Sequence, residues 1–95
     1  MQIPAWVEKG LRTQAQKSRA RLKYIVGNLA ARHTGRASMR ALAEKVGMDH
    51  STISGYIRRG SFSDQAAANV VAALSDSELS VAMLTTPLSL PRELD

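Results

Sequence analysis

The chain has 95 residues, 44% of them hydrophobic and none of them cysteine. That allows one small domain with a single core and excludes disulfides and thiolate metal sites. No apolar run approaches the roughly 18 residues that span a membrane, and Glu8, Lys9 and Arg12 interrupt the N-terminus, so neither a membrane helix nor a secretory leader is expected. The absence of cysteine suits the cytoplasm, which is the expected location. The formal charge of +5 is unevenly spread: residues 1–60 hold twelve lysines and arginines against three carboxylates, a net +9, whereas residues 61–95 carry a net −4. Such a division points to one face for a polyanion and another for a different partner.

Residues 1–12, MQIPAWVEKGLR, begin with a short helix from Pro4 that Gly10 ends. Ile3, Trp6, Val7 and Leu11 are expected to form a small apolar cluster that covers the core or meets a partner subunit, and Trp6, the only tryptophan, is expected to pack against the domain. A long helix follows from Thr13 to Arg32, with Leu22, Ile25, Val26 and Leu29 at i, i+3, i+4 and i+7. The basic stretch from Lys17 to Lys23 reads equally as a phosphate-reaching face or as a solvated one. Gly27 inside the helix costs about 1 kcal/mol relative to alanine. His33-Thr34-Gly35 ends the helix, with Gly35 as its left-handed stop and His33 favourable to the helix dipole rather than a ligand or catalyst.

Ser38 is a good N-cap for the next stretch, Met39 to Arg59, which reads MRALAEKVGMDHSTISGYIRR. Leu42, Ala43 and Val46 recur at helical spacing, and Gly47 then breaks the run. Ile53, Tyr56 and Ile57 resume the period after a short polar gap. Two helices joined this closely cross steeply, so Ala43 is small where the second passes over the first, and Gly47 takes the positive φ that ends a helix abruptly. Met48 and Ile53 point under the turn, and Asp49 is expected to cap the second helix.

After Gly60, Ser63 caps an alanine-rich helix over 64–74, with Ala67, Val70, Val71 and Leu74 toward the core and Phe62 plugging the gap behind the preceding helix. Ser75-Asp76-Ser77 is expected to cap a short fifth helix ending before Pro87, with Leu79, Ala82, Met83 and Leu84 inward. With Pro87 and Pro91, residues 85–95 are expected to form an extended or disordered tail. Its Leu88, Leu90 and Leu94 are available to a partner subunit.

Ala43, Gly47 four residues on, Ile53 six after that and Tyr56 three later resemble the helix-turn-helix of the phage lambda repressor and Cro family, and the five helices fall in a similar order. The resemblance implies an all-α domain over 13–84 with that fold, preceded by the arm or short helix 1–12 and followed by the tail 85–95. It implies that the second helix of the motif, 49–58, enters the major groove of DNA, with His50, Ser51, Thr52, Ser54 and Gly55 on the base-facing side. Phosphates would be met by Ser38, Arg40, Arg58 and Arg59. The chain departs from the family's pattern in lacking Arg, Asn or Gln between His50 and Ile57. Gly55 stands where many relatives carry a long polar side chain, so readout through DNA shape, water or the basic N-terminal segment is anticipated.

The chemistry of an enzyme is not expected. Asp49-His50-Ser51 are consecutive on a helix start and point apart, whereas a triad converges from separate places. No metal site or cofactor is anticipated. The leading expectation is a phage or bacterial transcription regulator, a repressor acting as a homodimer on double-stranded DNA, with the acidic C-terminal part as its dimer surface. An antitoxin-type module with autoregulatory DNA binding is the runner-up, and a nonspecific nucleic-acid binder driven by the +9 half is the third.

Overall fold

The computed structural model describes residues 1–93; Leu94 and Asp95 lie outside them. Leu22, Ile25, Val26 and Leu29 are each no more than 1% exposed, because their spacing gathers them on one side of α1 (Gln14–Thr34). Around that stripe stand α2 (Met39–Val46), α3 (His50–Arg59) and α5 (Val81–Thr85), with short 3₁₀ turns at Ala5–Glu8 and Pro87–Ser89. All of these pack on α1 directly, and α4 (Asp64–Leu74) closes the core by packing on α2 and α5. Among the described residues there are five α-helices, no strand and one isolated parallel bridge, Ile3 to Arg92. The domain is all-α, and none of its helices is long and apolar enough to cross a membrane.

The helix limits follow local chemistry. Thr13 accepts the backbone N–H of Gln16 at 3.1 Å while the Gln16 side chain accepts that of Thr13 at 3.1 Å, a capping box that starts α1 at Gln14. Ser38 and Ser63 accept from Ala41 and Ala66 at 3.3 and 3.2 Å and open α2 and α4 where expected. Phe62 is buried, and its backbone N–H donates to the Leu84 carbonyl at 2.9 Å, tying the α3–α4 turn to α5.

Three expectations are corrected. The fifth helix begins at Val81 behind Ser80, not behind Ser75-Asp76-Ser77. Ser75 instead ends α4 in the left-handed region at φ 50°, and the Asp76 carboxylate accepts the Glu78 N–H at 2.9 Å, a local turn that aspartate forms as readily as a cap. That carboxylate also takes Arg32 at 2.7 Å and His33 at 2.9 Å from the end of α1. The Glu78 and His33 hydrogen bonds, in that order, hold its pKa below the usual aspartate value. Leu79 is buried but precedes the helix, and Ala82 is exposed.

The tail, secondly, is folded back as far as it is described. Pro87 is buried and Leu90 is half-buried against the core, with Leu88 exposed. The Ile3 N–H donates to the Pro91 carbonyl at 2.9 Å, and the Glu93 N–H donates to the Ile3 carbonyl at 2.8 Å. Trp6, thirdly, is 67% exposed, meeting the domain through an edge-to-face contact with Tyr24. A 3₁₀ turn eclipses positions i and i+3, so Ala5 and Glu8 share the inner side and Trp6 is left outside.

Glu8 is inward because Arg21 is. The Arg21 side chain, from the middle of the basic stretch, is 9% exposed. Its Nε donates to Glu8 Oε1, and its Nη1 donates to the carbonyls of Pro87 and Leu90 at 3.1 and 2.9 Å. Arg92 reaches Glu8 Oε2 at 3.4 Å. One guanidinium thus joins the N-terminal turn to the C-terminal turn. The Arg21 hydrogen bond is the largest cause of a lowered Glu8 pKa, with the Arg21 and Arg92 charges adding to it against the opposing effect of burial.

Removing one partner of a buried pair leaves the other uncompensated, so Glu8→Ala is expected to cost about 3 kcal/mol in urea melts at neutral pH. A carboxylate with a depressed pKa contributes fully above its ordinary value. That contribution is lost as pH falls through the folded value. The stability difference between the natural chain and Glu8→Ala should therefore shrink below the ordinary glutamate range and be constant above it.

Candidate nucleic-acid interface

The joint between α2 and α3 is made by backbone geometry. Gly47 stands at φ 73°, its N–H donating to Glu44 at 3.4 Å while the Met48 N–H donates to Ala43 at 2.9 Å. This Schellman arrangement satisfies the last carbonyls of α2 and turns the chain within one residue. Ala43 is 3% exposed and Ile53 is fully buried, and Met48 packs at the edge of the core, as their spacing predicts. Asp49 occupies the N-cap position of α3, but its side chain makes no capping bond and is exposed, which corrects the expected cap. The helix starts through the Asp49 carbonyl instead, which accepts from Thr52 and Ile53 at 3.1 and 3.3 Å.

The far end of α3 repeats the device. The Gly60 N–H donates to Ile57 and the Ser61 N–H to Tyr56, at 3.1 and 3.2 Å, with Gly60 at φ 90°. Here the surroundings are close as well: a Cβ on residue 60 would meet Ser18 Oγ at 3.2 Å and the Arg19 backbone N at 3.3 Å. Ser18 donates its hydroxyl proton to the Gly60 carbonyl at 2.6 Å, pinning α3 to the start of α1. The Tyr56 ring stacks on Phe62 with centroids 4.8 Å apart, and its hydroxyl is 3.2 Å from Ser63 Oγ.

With Ile53, Tyr56 and Ile57 inward, the other side of α3 faces solvent. His50, Ser51, Thr52, Arg58 and Arg59 are exposed, and Ser54 and Gly55 are half-exposed. Ser54 Oγ lies 4.0 Å from Met39 Sδ, on the flank against α2. Ser51, Gly55 and Arg58 stand at i, i+4 and i+7 and share one line along the outer side. The two arginines diverge. The Arg59 guanidinium lies 5.6 Å from the Tyr56 ring centroid. Arg58 folds back, with one terminal nitrogen 3.9 Å from the point where a side chain at Gly55 would start.

Other cations flank this face. Arg40 is exposed in the first turn of α2, where the first N–H groups of a helix lack intrahelical acceptors. Ser38 beside it is half-buried, its hydroxyl used in the cap. Arg19, whose Cγ approaches Gly60, brings a charge from α1 to the end of α3. The basic stretch 17–23 hinted at this charge, but only the contact with Gly60, 41 positions on, shows where it goes. Among the described residues Arg19, Arg40, Arg58 and Arg59 have no carboxylate partner, whereas Arg21, Arg32 and Arg92 are paired. No group of three or more His, Asp or Glu side chains among the described residues is arranged to hold a metal. Comparison of the chain with family models, with curated proteins and with solved structures finds no match.

The two glycines of this region should behave oppositely in thermal or urea melts. Gly60→Ala, strained in φ and crowded by α1, is expected to destabilise by about 1–3 kcal/mol. Gly55→Ala, in helical conformation with only Arg58 nearby, should stabilise by about 0.5–1 kcal/mol.

Proposed function

We propose that this protein is a sequence-specific DNA-binding transcription regulator of the phage or bacterial repressor type, with a lambda-repressor-like helix-turn-helix domain that inserts α3 into the major groove. One observation carries the reading. A short helix is held at both ends, packs inward along Ile53, Tyr56 and Ile57, and turns small polar groups outward between cations that no described carboxylate neutralises. A major groove about 12 Å wide admits such a helix, and short side chains let its backbone approach the base edges. His50, Ser51 and Thr52 offer hydrogen-bond donors and acceptors at the start of the helix, Gly55 leaves room beside them, and Ser54 stands at the rim toward α2. Arg40 and the Ser38 end of α2 take phosphates on one flank, and Arg59 with Arg19 takes them on the other. One such helix covers only a few base pairs, so the reading includes a homodimer with its recognition helices roughly 34 Å apart on a near-palindromic operator.

Fluorescence-anisotropy binding to DNA from upstream of the protein's own gene, against a scrambled duplex at two salt concentrations, tests this. The expected result is a preference of about a thousandfold that survives the higher salt. His50→Ala and Ser51→Ala should erode the preference. Arg40→Ala should weaken binding to every sequence and reduce the salt slope by about 1. Equal affinity for both duplexes, collapsing together with salt, would sink the proposal in favour of a basic helical domain with another partner.

A further inference from the structure

We infer that Arg58 reads a guanine, and that Gly55 is the residue that lets it do so; the inference rests on the DNA-binding reading of α3. By position alone Arg58 belongs at the far end of the helix, where a long cation would reach for a phosphate. The structure places its guanidinium elsewhere. A terminal nitrogen lies 3.9 Å from the point at which a side chain at position 55 would begin, so the head group folds back one turn toward the middle of the outer face. Any residue larger than alanine at 55 would compete for that space.

The neighbouring arginine shows why the two differ. The Arg59 guanidinium lies over the Tyr56 ring, 5.6 Å from its centroid, and Tyr56 is itself fixed by stacking on Phe62. Arg59 is therefore drawn toward the α4 side, where it can guard a phosphate. Arg58 has no such anchor and no carboxylate partner among the described residues. Its i+7 relation to Ser51 and i+3 relation to Gly55 keep it on the line that points away from the core.

The chemistry then selects the base. The outward side of α3 otherwise offers only imidazole and hydroxyl groups, which donate and accept and so discriminate weakly. A guanidinium offers a planar pair of donors and no acceptor. It matches the O6 and N7 acceptors of guanine in the major groove and mismatches the amino group of adenine or cytosine. Position 55 has no side chain of its own, and the Arg58 head group lies beside the space it leaves.

Selection of preferred duplexes from a randomised pool, followed by anisotropy on single-base variants of the selected site, decides the point. The natural chain is expected to require one G·C pair per half-site, with a loss of about ten- to a hundredfold when it is replaced. Arg58→Ala should bind G·C and its replacements alike at that pair while keeping its preferences at others. Arg58→Lys, with the charge retained, should keep the salt slope and lose most of the guanine preference. Gly55→Leu should lose the same preference with Arg58 still present, and thermal melts confirm that each variant is folded. A uniform loss of affinity for all sequences in Arg58→Ala, with the salt slope lowered by about 1, would show a phosphate contact and overturn the inference while leaving the regulator reading intact. Absence of any preferred site for the natural chain would overturn both.

Discussion

The arrangement of this protein depends on how α3 is held. A ten-residue helix with Ile53 as its only fully buried residue does not persist through its own hydrogen bonds, because helices of that length are marginal in water. Its permanence comes from the two ends. At the first, Gly47 turns the chain so sharply that Ala43 and Ile53 both enter the core. At the second, Gly60 turns it again and gives its carbonyl to Ser18 at 2.6 Å, so that the helix cannot roll about its axis without breaking a contact to α1. The Tyr56–Phe62 stack locks the same end from the side. The outer face is therefore held in place although almost nothing covers it, which under the proposed function is what reading a DNA groove requires.

The charges show a second division of labour. Twelve basic residues precede position 61, but they are not equivalent once folded. Arg21 is spent inside, where it satisfies Glu8 and two carbonyls of the C-terminal turn. Arg32 meets Asp76 and Glu78, so part of the acidic half neutralises the C-terminal end of α1. Of the arginines and lysines without a carboxylate partner among the described residues, Lys17 and Arg19 lie in the first turns of α1, Arg40 in the first turn of α2, and Arg58 and Arg59 at the end of α3. The excess positive field is consequently narrower than the composition implies. Under the proposed function, the cations beside α2 and α3 are the ones placed to attract a polyanion to the polar face of α3.

Among the candidate site residues, Ala43, Gly47, Ile53 and Tyr56 were legible because their roles are set by spacing within one motif: three must be apolar or small on the inside, and one must tolerate positive φ. The outward positions of His50, Ser51 and Thr52 follow from the same period. The posture of Arg58 over Gly55 and the retreat of Ser54 toward Met39 were not legible, since a helical period says which side a residue leaves from and not where a long side chain comes to rest. Arg19 is not distinguished in the sequence because a run of basic residues covers several faces of a helix, and only the approach of Gly60 sets one of them apart.

The helices from Gln14 to Leu74 follow from local sequence. The starts of α1, α2 and α4 depend on a Thr or Ser reaching an N–H three residues on, the stops at Gly35, Gly47 and Gly60 depend on residues that accept positive φ, and the inner faces repeat at a fixed period. All of these are interactions within a few residues. Tertiary structure alone decided that Trp6 stands in solvent while Arg21 is buried, that the fifth helix waits until Val81, and that the tail turns back. Those outcomes rest on pairs far apart in the chain: Glu8 with Arg21 and Arg92, Asp76 with the end of α1, and Ile3 with Pro91 and Glu93. A buried arginine with three acceptors outweighs the apolar preference of a lone indole, and no local pattern records that the acceptors will be there.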